Sequence, residues 1–391
     1  MRILSDFKDR SKLEISLFLC LSLFVFFTLI SISFSQIFLF LALIFWLILT
    51  IKNKEKIRFP SFFWALIFYS LFTLLSAAFS IRKELSFKDS REIFLFLIVV
   101  ILYMGFKSIS EIKNTNSFLL VSAWIASGYS IIYYIFKAQP GERITGLMGH
   151  YMTQAGLMLL VICFALSFTL FAPKKFKIPW GITLFLAFIA LLLTLTRSAW
   201  VGLIFAGGFI LYLYKPKALI VIPVIIIIFL IFAPHSMKQR AISIFSLQDE
   251  SNLDRIYMLQ SGLRIIRDHP LTGTGPATIP IVYEKYKLPQ VEREGIHLHN
   301  NLIQIAAERG IPALLLWFWF IIAAFLSLFK LAKDKNEPYL RAISIGALGT
   351  IIGLFIAGLF EYNFGDSEIK MLFLYIITIP FSFQKILQRN N

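Results

Sequence analysis

Apolar runs about as long as a lipid bilayer is thick recur from one end of this chain to the other, and they leave it very few architectures. A helix needs roughly 20 apolar residues to cross the hydrocarbon, and its backbone polar groups must all be satisfied within the segment. Such runs lie near residues 13–31, 33–51, 60–80, 92–107, 117–136, 152–172, 179–196, 198–214, 218–233, 311–331, 340–361 and 368–386. The expected fold class is therefore all-α, a polytopic integral membrane protein with about 12 transmembrane helices. Hydrophobic residues make up 58% of the 391, and Phe alone occurs 42 times. The first run lacks a small-residue cleavage signature and a second follows at once, so the amino terminus is expected to be retained.

Orientation follows from Lys and Arg, which resist translocation when they lie in short connections. They concentrate in alternate connections: Arg2, Lys8, Arg10 and Lys12; Lys52, Lys54, Lys56 and Arg58; Lys174, Lys175 and Lys177; Lys330, Lys333 and Lys335. Both termini are thus expected in the cytoplasm. The chain divides into a membrane domain at 1–233 with the first nine helices, an outward loop at 234–310, and the last three helices at 311–391. Cys20 and Cys163 fall within spans, so neither a disulfide framework nor a Cys metal site is suggested. The formal charge is +16, and basic residues on the outer side favour a polyanionic or pyrophosphate-bearing ligand. Because they are dispersed among spans, nucleic acid is not an expected partner.

Within the loop, Asn252 can cap a helix whose apolar stripe runs Ile256, Leu259, Leu263 and Ile266. The run Leu271-Thr272-Gly273-Thr274-Gly275-Pro276 is turn-rich and cannot continue it. A short helix is expected to start at Asn300 or Asn301 and to close at Gly310, with Pro312 in the first turn of the next span. His299 then sits at a helix amino terminus, where free amides and the dipole favour a phosphate or carboxylate.

All five histidines, His150, His235, His269, His297 and His299, fall on the outer side in this topology. His299, or alternatively His297, is the candidate general base, since imidazole can take up and release a proton at neutral pH. The competing role for both is capping or packing of the short helix. Arg197 stands in a hairpin with almost no loop, where an arginine faces either an anionic partner or lipid headgroups. Its planar fork suits a pyrophosphate. Arg143 and Arg255 can complete a basic pocket or be surface charges, and Arg82 and Arg91 are more peripheral candidates. Glu361 and Asp366 can contact a sugar hydroxyl, hold an arginine or line a solvated turn.

Some functions are set aside. There is no GxxxxGK[ST] phosphate loop, and acidic residues are almost absent from the spans, against an ion-coupled transporter. The paired histidines show no HExxH pattern and no carboxylate partner, so a catalytic metal is not indicated.

The runs Asp254-Arg255-Ile256-Tyr257 and Asp268-His269-Pro270-Leu271-Thr272-Gly273-Thr274-Gly275 resemble a signature of the O-antigen ligase and O-antigen polymerase superfamily. His297-Leu298-His299-Asn300-Asn301-Leu302-Ile303-Gln304, closing with Glu308-Arg309-Gly310, is similar to its second signature. Thr196-Arg197-Ser198 and Arg143-Ile144-Thr145-Gly146 support the likeness, which spans about residues 140–315 by motif. The resemblance implies a GT-C-like glycosyltransferase of the bacterial inner membrane, with its site on the periplasmic face. Its donor would be an undecaprenyl-pyrophosphate-linked glycan and its acceptor lipid A-core in the ligase branch, or another lipid-linked repeat in the polymerase branch. No cofactor and no metal are expected; membrane lipids are the remaining partners. On this reading His299, Arg197 and Arg255 are catalytic, while Arg143, His297, Asn300, Asn301 and Arg82 bind substrate. Attachment to a protein acceptor, and movement of a lipid-linked glycan without bond formation, are the alternatives.

Overall fold

The computed structural model describes residues 10–139, 141–246, 248–288, 291 and 297–390, so the expectation for Arg2 and Lys8 lies outside the described residues. Among the described residues the chain is helical with no strand. In chain order the helices are α1 Lys12–Phe27, α2 Ile32–Lys52, α3 Phe63–Ala78, α4 Lys83–Asp89, α5 Leu97–Gly105, α6 Ile109–Phe136, α7 Tyr151–Phe171 and α8 Lys174–Leu193. There follow α9 Arg197–Tyr214, α10 Val221–Phe232, α11 His235–Ile242, α12 Glu250–Asp268, α13 Ile279–Tyr286, α14 Asn301–Ala332, α15 Pro338–Ala357 and α16 Ser367–Asn390.

Eight of these, α2, α6, α7, α8, α9, α14, α15 and α16, are long and apolar enough to cross a membrane. The four remaining expected spans coincide with shorter helices: α1, α3, the tandem of a 3₁₀ segment Ser90–Phe96 with α5, and a 3₁₀ turn at Pro216–Ile220 running into α10. Hydropathy finds greasy runs but not where a helix stops. Ser11 with Glu14 and Ser108 with Glu111 form reciprocal capping boxes that open α1 and α6 and satisfy amides that a helix end leaves free.

Helices α7, α15 and α16 form the centre of the bundle, buried on nearly every side, whereas α2 buries only one edge. Glycines let the central helices approach closely, as is usual where van der Waals packing rather than water exclusion drives association. A Cβ on Gly202 of α9 would lie 2.8 Å from the carbonyl of Gly353 on α15.

Segment 234–310 has a small core of its own, in which Met258, Ile265, Ile279, Tyr283, Tyr286 and Leu298 meet. Helix α12 starts one turn earlier than expected, capped by Asp249, whose side chain accepts from the Asn252 N–H. The apolar stripe is divided, since its fourth member, Ile266, packs against this core. Met258, Ser261, Gly262 and Ile265 point inward, while Ile256, Leu259 and Leu263 of the predicted stripe are exposed, Leu263 at 52%. The reason is close packing: Ile303 of α14 sits against Gly262, where any Cβ would collide with it.

The loop after α12 is a clamp. Thr274 and Gly275 donate their N–H groups to the carbonyls of Ala307 and Glu308 (3.0 and 2.8 Å), and Ile311 donates to Pro270 (2.8 Å). From the other side Ser76 Oγ donates to Thr272 O (2.6 Å) and Ser86 Oγ to Pro276 O (2.8 Å). Helix α14 breaks between these contacts at Gly310, with φ 84° and ψ 166°, a region only glycine occupies readily. The expected short helix closing at Gly310 is thus present, joined across a kink to the following span.

Candidate active site

His297 and His299 lie on the turn that enters α14, and the turn is strained. His299 adopts φ 46°, a left-handed conformation that a residue with a Cβ reaches at a cost of about 1–3 kcal/mol. The strain is held by Asn300 and Asn301. Asn300 Oδ1 accepts from Leu302 and Ile303 N–H (2.9 and 3.1 Å), and its Nδ2 donates to Leu359 O (2.9 Å). Asn301 is buried, donating from Nδ2 to Asn363 Oδ1 (2.7 Å) and accepting from Phe364 N–H (3.1 Å). Both asparagines expected to bind substrate are engaged in fastening this turn to segment 358–364.

That fastening brings Glu361 to the histidines. His299 Nδ1 lies 3.0 Å from Glu361 Oε2, and His297 Nε2 lies 3.5 Å from Oε1. The premise of the sequence argument against a metal, that no carboxylate accompanies the histidines, is overturned by a residue 62 positions further on. Burial would raise the Glu361 carboxyl, but the hydrogen bond and charge of His299, with His297 and Arg255, hold it below the usual range. His297 is pushed down to about 4, mainly by burial and against the pull of Glu361, so its ring is neutral at pH 7. Its Nδ1 accepts from the His299 N–H (3.3 Å), which leaves the proton on Nε2 facing Glu361.

A cluster of arginines stands beside this pair. Arg197 opens α9 and is 5% exposed. Its guanidinium donates to Ser243 O and Oγ (2.9 and 2.6 Å) and to Asp249 Oδ1 (2.9 Å). Arg143 lies 3.4 Å over the ring of Tyr151 and donates to Thr194 O (3.2 Å) and Thr196 Oγ1 (3.2 Å), on the hairpin that carries Arg197. Burial lowers Arg143 to about 10, and the charges of Arg240, Arg255 and Arg197 act in the same direction. Arg240 belongs to the group too: burial and then Arg197 lower it, and its Nε donates to Leu195 O (3.3 Å). No sequence motif marked it. Arg255 joins the halves, since burial lowers it while both Glu361 and Arg197 act on it. Among the described residues its buried Nε has no hydrogen-bond partner, and NH1 donates to Ser251 Oγ, 3.3 Å away in the preceding turn.

The other candidates fall elsewhere. Arg82 is exposed at the start of α4, and no contact among the described residues brings it to the cluster. Asp366 accepts from Thr153 Oγ1 (2.9 Å), and burial, with Glu368 and Glu361 nearby, pushes its carboxyl up to about 7. His150 stacks on Tyr151 with ring centroids 4.8 Å apart and contributes to the field at His297. His269 faces the Tyr286 hydroxyl, apart from the pair.

The histidine pair and three of the four arginines beside it fall within one recognisable region. Residues 182–318 match the family model described as O-antigen ligase. Over that region, about a third of its length, the chain is similar to the O-antigen ligase family. The likeness to the O-antigen ligase and polymerase superfamily drawn from the sequence motifs is therefore borne out. The family region contains Arg197, Arg240, Asp249, Arg255, His297 and His299, while Arg143 and Glu361 lie outside it. No curated protein matches the chain.

Proposed function

We propose that the chain is an O-antigen ligase: an inverting, metal-independent glycosyltransferase that moves a glycan from undecaprenyl pyrophosphate to lipid A-core. The observation that carries this reading is the His299–Glu361 pair at 3.0 Å, with Arg255 under the charge of both Glu361 and Arg197. His299 Nδ1–H donates to the carboxylate, which fixes the tautomer and leaves the Nε2 lone pair free to accept a proton. The acceptor sugar hydroxyl gives that proton to Nε2 as its oxygen attacks the anomeric carbon. The bond to the pyrophosphate oxygen breaks on the opposite face, and its electron pair leaves with the diphosphate. Arg255, Arg197, Arg143 and Arg240 hold and neutralise that charge, which needs no metal. Base on one side and leaving group on the other gives inversion.

In this structure Asp249 occupies Arg197, so on this reading the donor diphosphate takes the carboxylate's place. The architecture that goes with it is GT-C-like, with twelve crossings, both termini cytoplasmic and segment 234–310 in the periplasm above the inner membrane. The test is glycan transfer by purified full-length protein, supplied with lipid-linked donor and either lipid A-core or a second lipid-linked repeat. Transfer to core that is abolished in His299→Ala, while donor still binds, supports the reading. Retained turnover by His299→Ala removes the base assigned here, and transfer only to the lipid-linked repeat moves the chain to the polymerase branch.

A further inference from the structure

The base mechanism uses His299 and Glu361 and leaves His297 without a chemical part, although its ring is held 4.1 Å from that of His299, centroid to centroid. We propose that His297 Nε2, His299 Nδ1 and Glu361 form a reversible site for a divalent transition-metal ion of the Zn²⁺ class, and that its occupation switches the enzyme off.

The ligand atoms all lie within 4.8 Å of one another. Nitrogen and oxygen ligands around tetrahedral zinc at about 2.0–2.1 Å stand roughly 3.3 Å apart. The distances to the two Glu361 oxygens, 3.0 and 3.5 Å, bracket that value. Two imidazoles and a carboxylate suit zinc, cobalt or copper rather than magnesium or calcium. Three protein ligands leave a position for water, and the half-exposed histidines give an entry path. The carboxylate has a support of its own, since Glu361 Oε1 accepts from Tyr362 N–H (3.1 Å).

Two features keep binding reversible. An ion on His297 Nε2 moves that ring's proton to Nδ1 and removes the 3.3 Å hydrogen bond from His299 N–H. The positive charge of Arg255 also faces the site. Inhibition follows from the tautomer and rests on the function proposed above. Metal on His299 Nδ1 shifts its proton through solvent to Nε2, with none released, and the lone pair that would take the acceptor's proton no longer exists.

The test uses tag-free, full-length protein in detergent, stripped of metal. Titration with Co²⁺ should produce the intense visible bands of a tetrahedral ion, and Zn²⁺ should erase them. His297→Gln should weaken Co²⁺ binding by about 100-fold, and Glu361→Gln comparably, as loss of a ligand or its close support does. Zn²⁺, but not Mg²⁺, should suppress glycan transfer, and His297→Gln should need correspondingly more Zn²⁺ relative to its own metal-free rate. Co²⁺ that stays octahedral, or that binds His297→Gln as well as the parent, overturns the site. Binding without suppression of transfer overturns the inhibitory role. Both outcomes are separate from the base assigned above, which fails if His299→Ala turns over in metal-free buffer.

Discussion

Replacing Gly310 by Ala tests the clamp that holds the histidine turn in place. The backbone there sits at φ 84°, ψ 166°, where a residue with a Cβ is strained by about 1–3 kcal/mol. The added Cβ would overlap the carbonyl of Leu271 and lie 2.9 Å from Thr272 N, backbone atoms fixed by the Ile311-to-Pro270 hydrogen bond. Overpacking of that kind costs another ~1–3 kcal/mol. The sum, ~2–6 kcal/mol, is a large share of the 5–15 kcal/mol that ordinarily stabilises a domain. Gly128, inside α6 with nothing near its missing Cβ, is the matched control, where Ala should be neutral or stabilise by up to ~1 kcal/mol. Thermal unfolding in detergent should show the Gly310→Ala midpoint falling by about 4 °C or more while Gly128→Ala holds or rises. Glycan transfer at a temperature where the variant is folded should fall as well, because His299 enters α14 on the near side of the kink. Equal midpoints for the two variants would refute the clamp.

Glu361→Gln should lower the rate of transfer by about 10²–10⁴-fold, the range a positioned base contributes, with donor binding little changed; steady-state and binding assays together separate the two. Asp249→Asn preserves the α12 cap but removes the charge that competes for Arg197. Donor binding should tighten by about two- to fivefold, as expected of a partly exposed ion pair, and unchanged or weaker binding would contradict the displacement of Asp249 by diphosphate. Asp366 is raised from 3.8 to about 7 by burial, so its contribution to stability is fully present below pH 3.8 and is lost as pH rises through 7. Asp366→Asn cannot ionise, and its midpoint should be flatter than that of the parent protein across pH 4–8.

Hydropathy and punctuation gave the sequence reading most of the architecture, because each rests on a local cause. The apolar runs mark helices wherever they occur, Asn300 caps α14, and Gly310 ends its first segment. The histidine pair and Arg197 were likewise visible as polar residues in a greasy chain. Glu361 and Arg240 reach the site only through tertiary packing, and no spacing along the chain encodes a carboxylate arriving beneath His299. The family resemblance casts Asn300 and Asn301 as ligands for substrate, and in sequence an amide looks the same whether it faces a sugar or a carbonyl. The stripe on α12 is divided for a related reason: an apolar residue can turn to a protein core or away from it, and Gly262, too small to register as hydrophobic, sets which side packs against Ile303.

That outward stripe bears on how substrates arrive. Ile256, Leu259 and Leu263 lie on the helix that carries Arg255, and on the function proposed above such an apolar edge would rest at the boundary between headgroups and acyl chains. A helix floating there would hold Arg255 at the height where the phosphates of a lipid-linked donor already travel. On that reading the search for the site would become diffusion in two dimensions, with the reacting groups meeting at a common depth and no lipid having to leave the bilayer.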